Sequence, residues 1–390
     1  MPSLARFVLM ITIATAVTAG LHYYAYVRLS RYLVLPPPEL RILKAVMLGL
    51  FALLWLSMPL GRSLPRSVGT PLLWLAYIWM GALVVLDVTF AGSDLVRLAI
   101  YLIGKLAPAS FDPERRQILG RTLGSATLAT ATGLIGYALF QGLRPVQVKH
   151  VEVPLPRLPR ELDGLRVVQI TDIHIGPTLD GAWLRSVVER INALKPDVIA
   201  ITGDLVDGSV ARLRDHVRPI GDLKAAHGVY FVTGNHEYYA GADEWLHELT
   251  NLGIRVLRNE RVTLQPRGGA HFDVAGVDDF HSHGFPGHGP DLPRALSGRD
   301  PERPVLLLAH QPLQISEAAK HGVDLQISGH THGGQIWPWG FFVRLQQPYV
   351  AGLHQHGDTR LYISCGTGYW GPPMRLGAPA EITHLVLRSA

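Results

Sequence analysis

The sequence predicts a chain in two parts: an N-terminal transmembrane α-helical bundle, then a C-terminal α/β domain built as a four-layer α/β/β/α sandwich. Three observations predict it. Four long apolar stretches fill about the first 145 of the 390 residues. From Leu165 onward, short β-branched runs alternate with helical stretches. Later strands come with fewer helices between them, which suggests a second sheet.

The apolar stretches lie at about 4–27, 42–60, 71–91 and 118–142. A hydrocarbon core of ~30 Å takes ~20 helical residues, so each is about long enough to cross it. Pro36-Pro37-Pro38 breaks the chain after the first, and Gly61, Pro65 and Gly69 break it after the second. Tyr23, Tyr24, Tyr26, Trp55 and Trp74 suit an aromatic belt at the lipid–water boundary. Four such stretches in succession argue against buried soluble helices. The first has only Arg6 as a leading charge and is followed by more spans, which disfavours a cleaved signal peptide. Asp87 is expected near the end of the third span, where it reaches the headgroups; a functional intramembrane carboxylate is the alternative. Segment 93–107 is apolar with Arg97 and Lys105 eight apart, and an interfacial amphipathic helix fits it better than a fifth span.

Charge is divided unevenly. Residues 1–149 hold 14 Lys+Arg and 5 Asp+Glu, a net of +9; residues 150–390 hold 22 and 26, a net of −4. Most of the basic residues flank apolar spans, so they read as topology determinants, and no nucleic-acid binding is expected. With four spans the N-terminus and the C-terminal domain share one side. Arg28, Arg31, Arg41, Lys44, Arg97, Lys105, Arg115, Arg116 and Arg121 lie on the other, nine against Arg6, Arg62, Arg66, Arg144 and Lys149. That bias predicts a multi-pass protein of the plasma (inner) membrane with its domain outside the cytoplasm. Arg115-Arg116-Gln117-Ile118-Leu119 also resembles a twin-arginine export signal. Cys365 is the only cysteine, which excludes an intramolecular disulfide and a CxxC pair. Any metal must be held by His, Asp, Glu or Asn.

Residues 146–164, rich in proline, are expected as an extended linker with one edge strand at 146–153. The domain proper is expected over 165–390. Its strands are 165–171, 197–202, 228–233, 304–309 and 323–328, with helices at 181–195, 209–226 and 242–251. Strands at 254–257, 262–265, 271–277, 361–364 and 381–388 are expected in the second sheet.

Five strands run straight into polar clusters with metal-ligand atoms: Asp172-Ile173-His174, Gly203-Asp204 through Asp207, Gly234-Asn235-His236-Glu237, His310, and Gly329-His330-Thr331-His332-Gly333-Gly334. Ligands of open α/β sheets bind beyond the carboxyl ends of strands, so the clusters converge. Asp172/His174 and His330/His332 are spaced i, i+2, so extended backbone would point each pair one way. Singly, each cluster is a weak signal. All five, each after a strand, are a strong one.

This ordered set resembles the calcineurin-like metallophosphoesterase family over about residues 165–388, and so implies the metallo-dependent phosphatase fold. The likeness is greatest to membrane-associated bacterial members, whose glycine-rich C-terminal stretch is similar to 366–377 here. The resemblance implies a first metal on Asp172, His174, Asp204 and His332. Asp204 would bridge to a second, held also by Asn235, His310 and His330, and His236 would be the non-ligand histidine facing the leaving group. Ala380 stands where the family pattern has proline, away from every implied ligand. The Gly-Asn-His-Glu form differs from the Gly-Asn-Arg-Asp form of soluble lipid A precursor hydrolases, which weighs against a UDP-2,3-diacylglucosamine-type substrate and leaves it as the alternative.

Histidine and carboxylate ligands suit two divalent ions of Mn, Fe, Zn or Co. Such a pair attracts a phosphate anion and activates a bridging water for in-line attack. His236 would protonate the leaving oxygen. Asp207 is a candidate to orient His236, with a helix N-cap as the alternative. Arg375 is a candidate phosphate clamp, or else a surface cation. The tract His281-Ser282-His283 to His288 is expected as a mobile, solvated loop, with an extra metal as the alternative. Asp278 and Asp279 are either a turn pair or a support to the site. The expected activity is hydrolysis of a phosphate mono- or diester, lipid-linked or of the cell envelope, at the bilayer. A scaffold with a damaged metal site would lack ligands, and none is missing. A transporter would carry more intramembrane charge than Asp87.

Overall fold

The computed structural model describes residues 4–106 and 113–390. Two compact units divide the chain: Met1–Phe140 with Gly371–Met374, and Gln141–Trp370 with Arg375–Ala390.

The first unit is helical. Its helices are α1 (Leu4–Leu33), α2 (Pro37–Ser63), α3 (Arg66–Leu106) and α4 (Pro113–Leu143). All four are long and apolar enough to cross a membrane. Pro37 opens α2, where its missing N–H costs nothing. Ala25, Met47, Leu83 and Phe90 pack together inside, while Phe7, Leu9, Met10 and Ile13 stay exposed, as suits a surface solvated by lipid. Polar pairs link the helices: Trp79 Nε1 donates to His22 Nε2 at 2.9 Å, Tyr24 to Asp94 at 2.7 Å, and Thr127 to Ser93 at 3.0 Å.

Two expectations change here. Residues 93–106 are not a separate interfacial helix; they continue α3. No proline follows Pro71 until Pro108, and a lone glycine such as Gly92 costs only about 1 kcal/mol. Asp87 therefore lies in the middle of a 41-residue helix, not near a span end. It is 7% exposed, and among the described residues neither carboxylate oxygen has a partner. Arg115 and Arg116 fall in the first turn of α4, with side chains outside the described residues.

The second unit holds β1 (Gln147–Leu155), β2 (Leu165–Ile170), β3 (Val198–Thr202), β4 (Val229–Val232), β5 (Arg255–Val256), β6 (Glu260–Arg267), β7 (Ala270–Gly276), β8 (Val305–Leu308), β9 (Leu325–Ser328), β10 (Gly352–His356), β11 (Thr359–Ile363) and β12 (Glu381–Ser389). Its helices are α5 (Gly181–Ala193), α6 (Val210–Val217), α7 (Asn235–Ala240), α8 (Ala242–Asn251), α9 (Leu292–Ala295), α10 (Ile315–Lys320) and α11 (Gly340–Val343). The strands form two six-stranded sheets, ordered β1-β12-β2-β3-β4-β5 and β10-β11-β9-β8-β7-β6. Strands β2 to β5 are parallel, as are β7, β8, β9 and β11.

The division of strands between sheets differs from the expectation. Residues 254–257 and 381–388 contribute to the first sheet as β5 and β12, while 304–309 and 323–328 supply β8 and β9 of the second. Apolar patterning marks a strand but not its partner. The segment expected as a linker contains β1, the edge strand, paired in parallel with β12 over its whole length.

Alternation along β3 shows how the layers form. Ile199 and Ile201 face a core shared with Leu184 and Ile191 of α5 and Trp245 of α8. Val198 and Ala200 face the other way, against Phe272, Leu306 and Ile327 of the second sheet. Leu307 and Leu361 then pack on Ile315 and Ala318 of α10. The result is helices, sheet, sheet, helices, a four-layer α/β/β/α sandwich.

Candidate metal centre

The carboxyl ends of β2, β3, β4, β8 and β9 deliver the five polar clusters to one place. Three groups of side chains bring potential ligand atoms within 4.8 Å of one another: Asp172, His174 and His332; Asp204, His310 and His330; and His174, Asp207 and His236. Asp204 faces the first two groups. Its Oδ2 lies 3.2 Å from His310 Nε2 and 3.9 Å from His174 Nε2. The Nε2 atoms of His174 and His332 are 3.1 Å apart, and His332 Nε2 is 3.3 Å from Asp172 Oδ1.

The backbone at these residues is unusual. Asp172, His174, Asp204, His330 and His332 have φ of 51°, 52°, 52°, 68° and 51°. This corrects the expectation of extended backbone at the two i, i+2 pairs. Alternate left-handed residues, not a strand, turn each pair inward. Such residues cost on the order of 1–3 kcal/mol each and persist where surrounding bonds over-determine them. Those bonds are present. Asp172 N–H donates to Gly203 O at 3.1 Å, and Ile173 N–H to Asp204 O at 2.8 Å. His330 N–H donates to the Asp172 carboxylate at 3.0 Å. Glycines let the turns close. A Cβ on Gly329 would strike the Asp172 carboxylate, and one on Gly234 would strike that of Asp204.

The donor set fits divalent cations. Among the described residues, buried Asn235 Oδ1 has no hydrogen-bond partner, and buried His310 Nε2 faces only the Asp204 carboxylate. Imidazole nitrogens set against carboxylate oxygens are the donor types that divalent transition metals take. The candidate ligands are also oriented from behind. His174 Nδ1 is 2.9 Å from Asp207 Oδ1, and His310 Nδ1 is 2.7 Å from Thr202 O. Each leaves Nε2 free to ligate.

Electrostatics agree. Burial pushes Asp172 up. Burial does the same to Asp204, but His310, His236 and His174 outweigh it and hold Asp204 well below the usual carboxylate range. Burial opposes charge on His310, yet Asp204 and Asp172 raise it well above the ordinary histidine value. A divalent cation would replace that proton. Burial and the neighbouring His310 hold His330 down at about 3, and burial with His174 holds His332 well below the ordinary histidine value. Neutral imidazole is the ligating form.

His236 lies beside this cluster, with Nδ1 2.7 Å from Asp207 Oδ1 and Nε2 4.0 Å from Asp204 Oδ2. Asp207 thus contacts both His174 and His236. The helix N-cap alternative is not its place, since α6 begins after Ser209.

Arg375 is a correction. It is 1% exposed, not at the surface and not open to substrate. Nη1 donates to the carbonyls of His332, Cys365 and Ala378 at 3.2, 2.5 and 3.0 Å, and Nη2 donates to those of Gly366 and Gly368. It pins the loop after β11 against the turn that carries His332.

The His281–His288 tract is also more ordered in its contacts than expected. His288 meets Tyr238, Arg258 and Asp243 at 3.2, 2.8 and 3.1 Å. Asp278 pairs with Arg258 at 2.8 Å, while Asp279 accepts from Gln311 Nε2 at 3.0 Å, beside His310.

Glu237 was named in its motif without a role. Fully buried, it accepts from the backbone N–H groups of Asp204, Leu205 and Gly234 at 3.0, 2.8 and 2.7 Å. It thereby clamps two ligand loops. Its signal was its position: the third residue of a helix, from which an acid reaches back to the cap. Trp370 and Tyr239, whose rings lie 5.6 and 5.4 Å from that of His236, had no sequence signal.

The chain is similar to known proteins of one family. The calcineurin-like phosphoesterase family matches residues 165–334. A transmembrane protein with metallophosphoesterase domain from Bos taurus is 40% identical over 330 residues, covering 81% of this chain and 73% of that protein. An uncharacterized metallophosphoesterase of Helicobacter pylori is 38% identical, covering 71% of this chain and 73% of that protein. A dimetal phosphatase from Danio rerio is similar in structure at 15% identity and a TM-score of 0.32, over 52% of this chain and 88% of that one. The chain belongs to the calcineurin-like metallophosphoesterase family and is a metal-dependent phosphoester hydrolase.

Proposed function

We propose that this chain is a membrane-anchored hydrolase of phosphate mono- or diesters, acting at the bilayer on a lipid-linked or cell-envelope substrate. Residues 1–145 form the anchor, and 165–390 the catalytic domain. The observation that carries the reading is the convergence of histidine and carboxylate ligand atoms about Asp204, with the Asp207–His236 pair beside them. Asp172, His174, Asp204 and His332 would hold one divalent ion. Asp204, Asn235, His310 and His330 would hold the other, each being Mn, Fe, Zn or Co. When bound, such ions draw in the phosphate and lower the pKa of water towards ~7. His236 supplies a proton from Nε2 to the leaving oxygen, and Asp207 fixes the ring through Nδ1. Trp370 and Tyr239 edge against the His236 ring and help to hold it in place.

The basic residues toward the C-terminal ends of α1 and α3 and the N-terminal ends of α2 and α4 support placing the domain outside the cytoplasm of the inner membrane. The test is metal analysis of the purified full chain with paired assays on a generic monoester, a generic diester and a lipid-linked pyrophosphate. At least one transition metal per chain and turnover in added Mn are expected. Less than one metal with no turnover refutes the reading. Reporter fusions after residue 150 are expected outside; a cytoplasmic result would favour a nucleotide-linked lipid substrate.

A further inference from the structure

Among the described residues, one exposed apolar segment of the second unit lies outside the buried clusters of the sandwich. It follows directly on the turn that carries His330 and His332. Trp337, Trp339, Phe341, Phe342 and Leu345 are 55%, 57%, 64%, 55% and 82% exposed. Arg344 is the only charged residue from 336 to 347. Trp370, 53% exposed, joins the segment through Gln335: Gln335 Nε2 donates to Trp370 O, and Trp370 N–H donates to Gln335 Oε1, both at 3.0 Å. Trp370 is also the residue whose ring edges against His236.

Scattered apolar side chains on a surface need no explanation, but a contiguous cluster marks an interaction site. Its composition is selective. Tryptophan favours the lipid–water boundary, phenylalanine and leucine enter the acyl region, and an arginine on the same short helix can keep its head at the phosphates. A bilayer is also a permanent neighbour. The chain carries four helices long and apolar enough to cross one. Helix α4 ends at Leu143 and β1 begins at Gln147. Only three residues, at most about 10 Å of chain, join them.

We propose that the segment Trp337–Leu345 is a membrane-docking loop, seated in the lipid–water interface of the bilayer that the chain's own helices cross. Docking turns the Trp370–His236 side of the metal centre toward lipid. On the hydrolase reading, that presents the centre to esters embedded in the bilayer; the docking itself does not depend on that reading.

The test uses the full chain in lipid nanodiscs. Phe341→Cys and Leu345→Cys are each labelled with an environment-sensitive fluorophore, with Glu302→Cys as an exposed control. Cys365 stays in place, since it is buried, and the unsubstituted chain gives the background. Unchanged thermal unfolding verifies that the labelled chains are folded. The probes at 341 and 345 are expected to emit to the blue. Lipids with a nitroxide high on the acyl chain should quench them several-fold more than lipids with one at the chain end. Aqueous iodide should quench only the probe at 302. Iodide quenching at 341 and 345 equal to that at 302 would overturn the proposal. Blue emission that nitroxide lipids leave untouched would also overturn it, and would assign the face to a second copy or another protein. No outcome depends on turnover, so an inactive chain with lipid-quenched probes would refute the hydrolase reading and leave the docking standing.

Discussion

Oδ1 of Asp207 lies 2.7 Å from Nδ1 of His236. The same oxygen is 2.9 Å from Nδ1 of His174, so one carboxylate backs both a proposed ligand and the proposed acid. Asp207→Asn keeps the shape and removes the charge. Loss of such a partner typically costs about 10–100-fold in metal affinity or activity. Both kcat and metal affinity should therefore fall by about that factor, read from turnover and metal titration of the full chain. A fall in only one would show that Asp207 supports a single partner.

His236→Ala should separate acid catalysis from metal binding. Neither proposed ion is held by His236, whose Nδ1 is taken by Asp207, so metal content is expected unchanged. Turnover of an alkyl phosphoester should fall by about 10²–10⁴. A nitrophenyl ester, whose leaving group needs no proton, should lose far less. Equal losses on both would remove His236 as the acid. Its charge state suits the role: burial opposes protonation, but the Asp207 bond and the Asp204 charge hold it up at about 9. Activity through this group is present below that value and lost as pH rises through it. A cation neutralising Asp204 moves the alkaline limb lower.

Arg375→Lys tests the corrected place of Arg375. A lysine ammonium cannot span carbonyls from residues 332 to 378, and each charged bond lost costs about 1.5–3 kcal/mol. The thermal midpoint should fall and metal should dissociate more readily, because the His332 turn loosens. KM for the phosphoester should not rise selectively. A selective rise with an unchanged midpoint would restore the clamp.

What the sequence made legible follows from distance along the chain. Asp172, Asp204, Asn235, His310 and His330 each sit within a few residues of an apolar run, so strand and ligand are read together. Arg375 could not be read this way, because its partners lie 3 to 43 residues away and are backbone oxygens. Position β12 was hidden for the same reason: Glu381 pairs with Gln147, across the whole unit. The left-handed φ at His174 and His332 was also hidden, since neither residue type announces it. Glycine, the usual sign, stands beside them instead.

Asp197 offers a test of the fold that does not touch the site. It is 6% exposed at the start of β3 and accepts from the Arg166 backbone N–H at 2.8 Å. Its carboxylate also pairs with the side chains of Arg166 on β2 and Arg267 on β6, at 3.3 and 2.9 Å, and so ties the two sheets together. Burial raises its pKa, but the bonds and charges of Arg166 and Arg267 outweigh that and lower it. A depressed folded-state pKa means the stabilisation is complete above the unfolded value. It is lost as pH falls through the folded one. Asp197→Asn should therefore lower the thermal midpoint near neutral pH. The gap from the unsubstituted chain should close as pH falls below the ordinary carboxylate range. A gap that stays constant with pH would mean that packing, not charge, holds this corner.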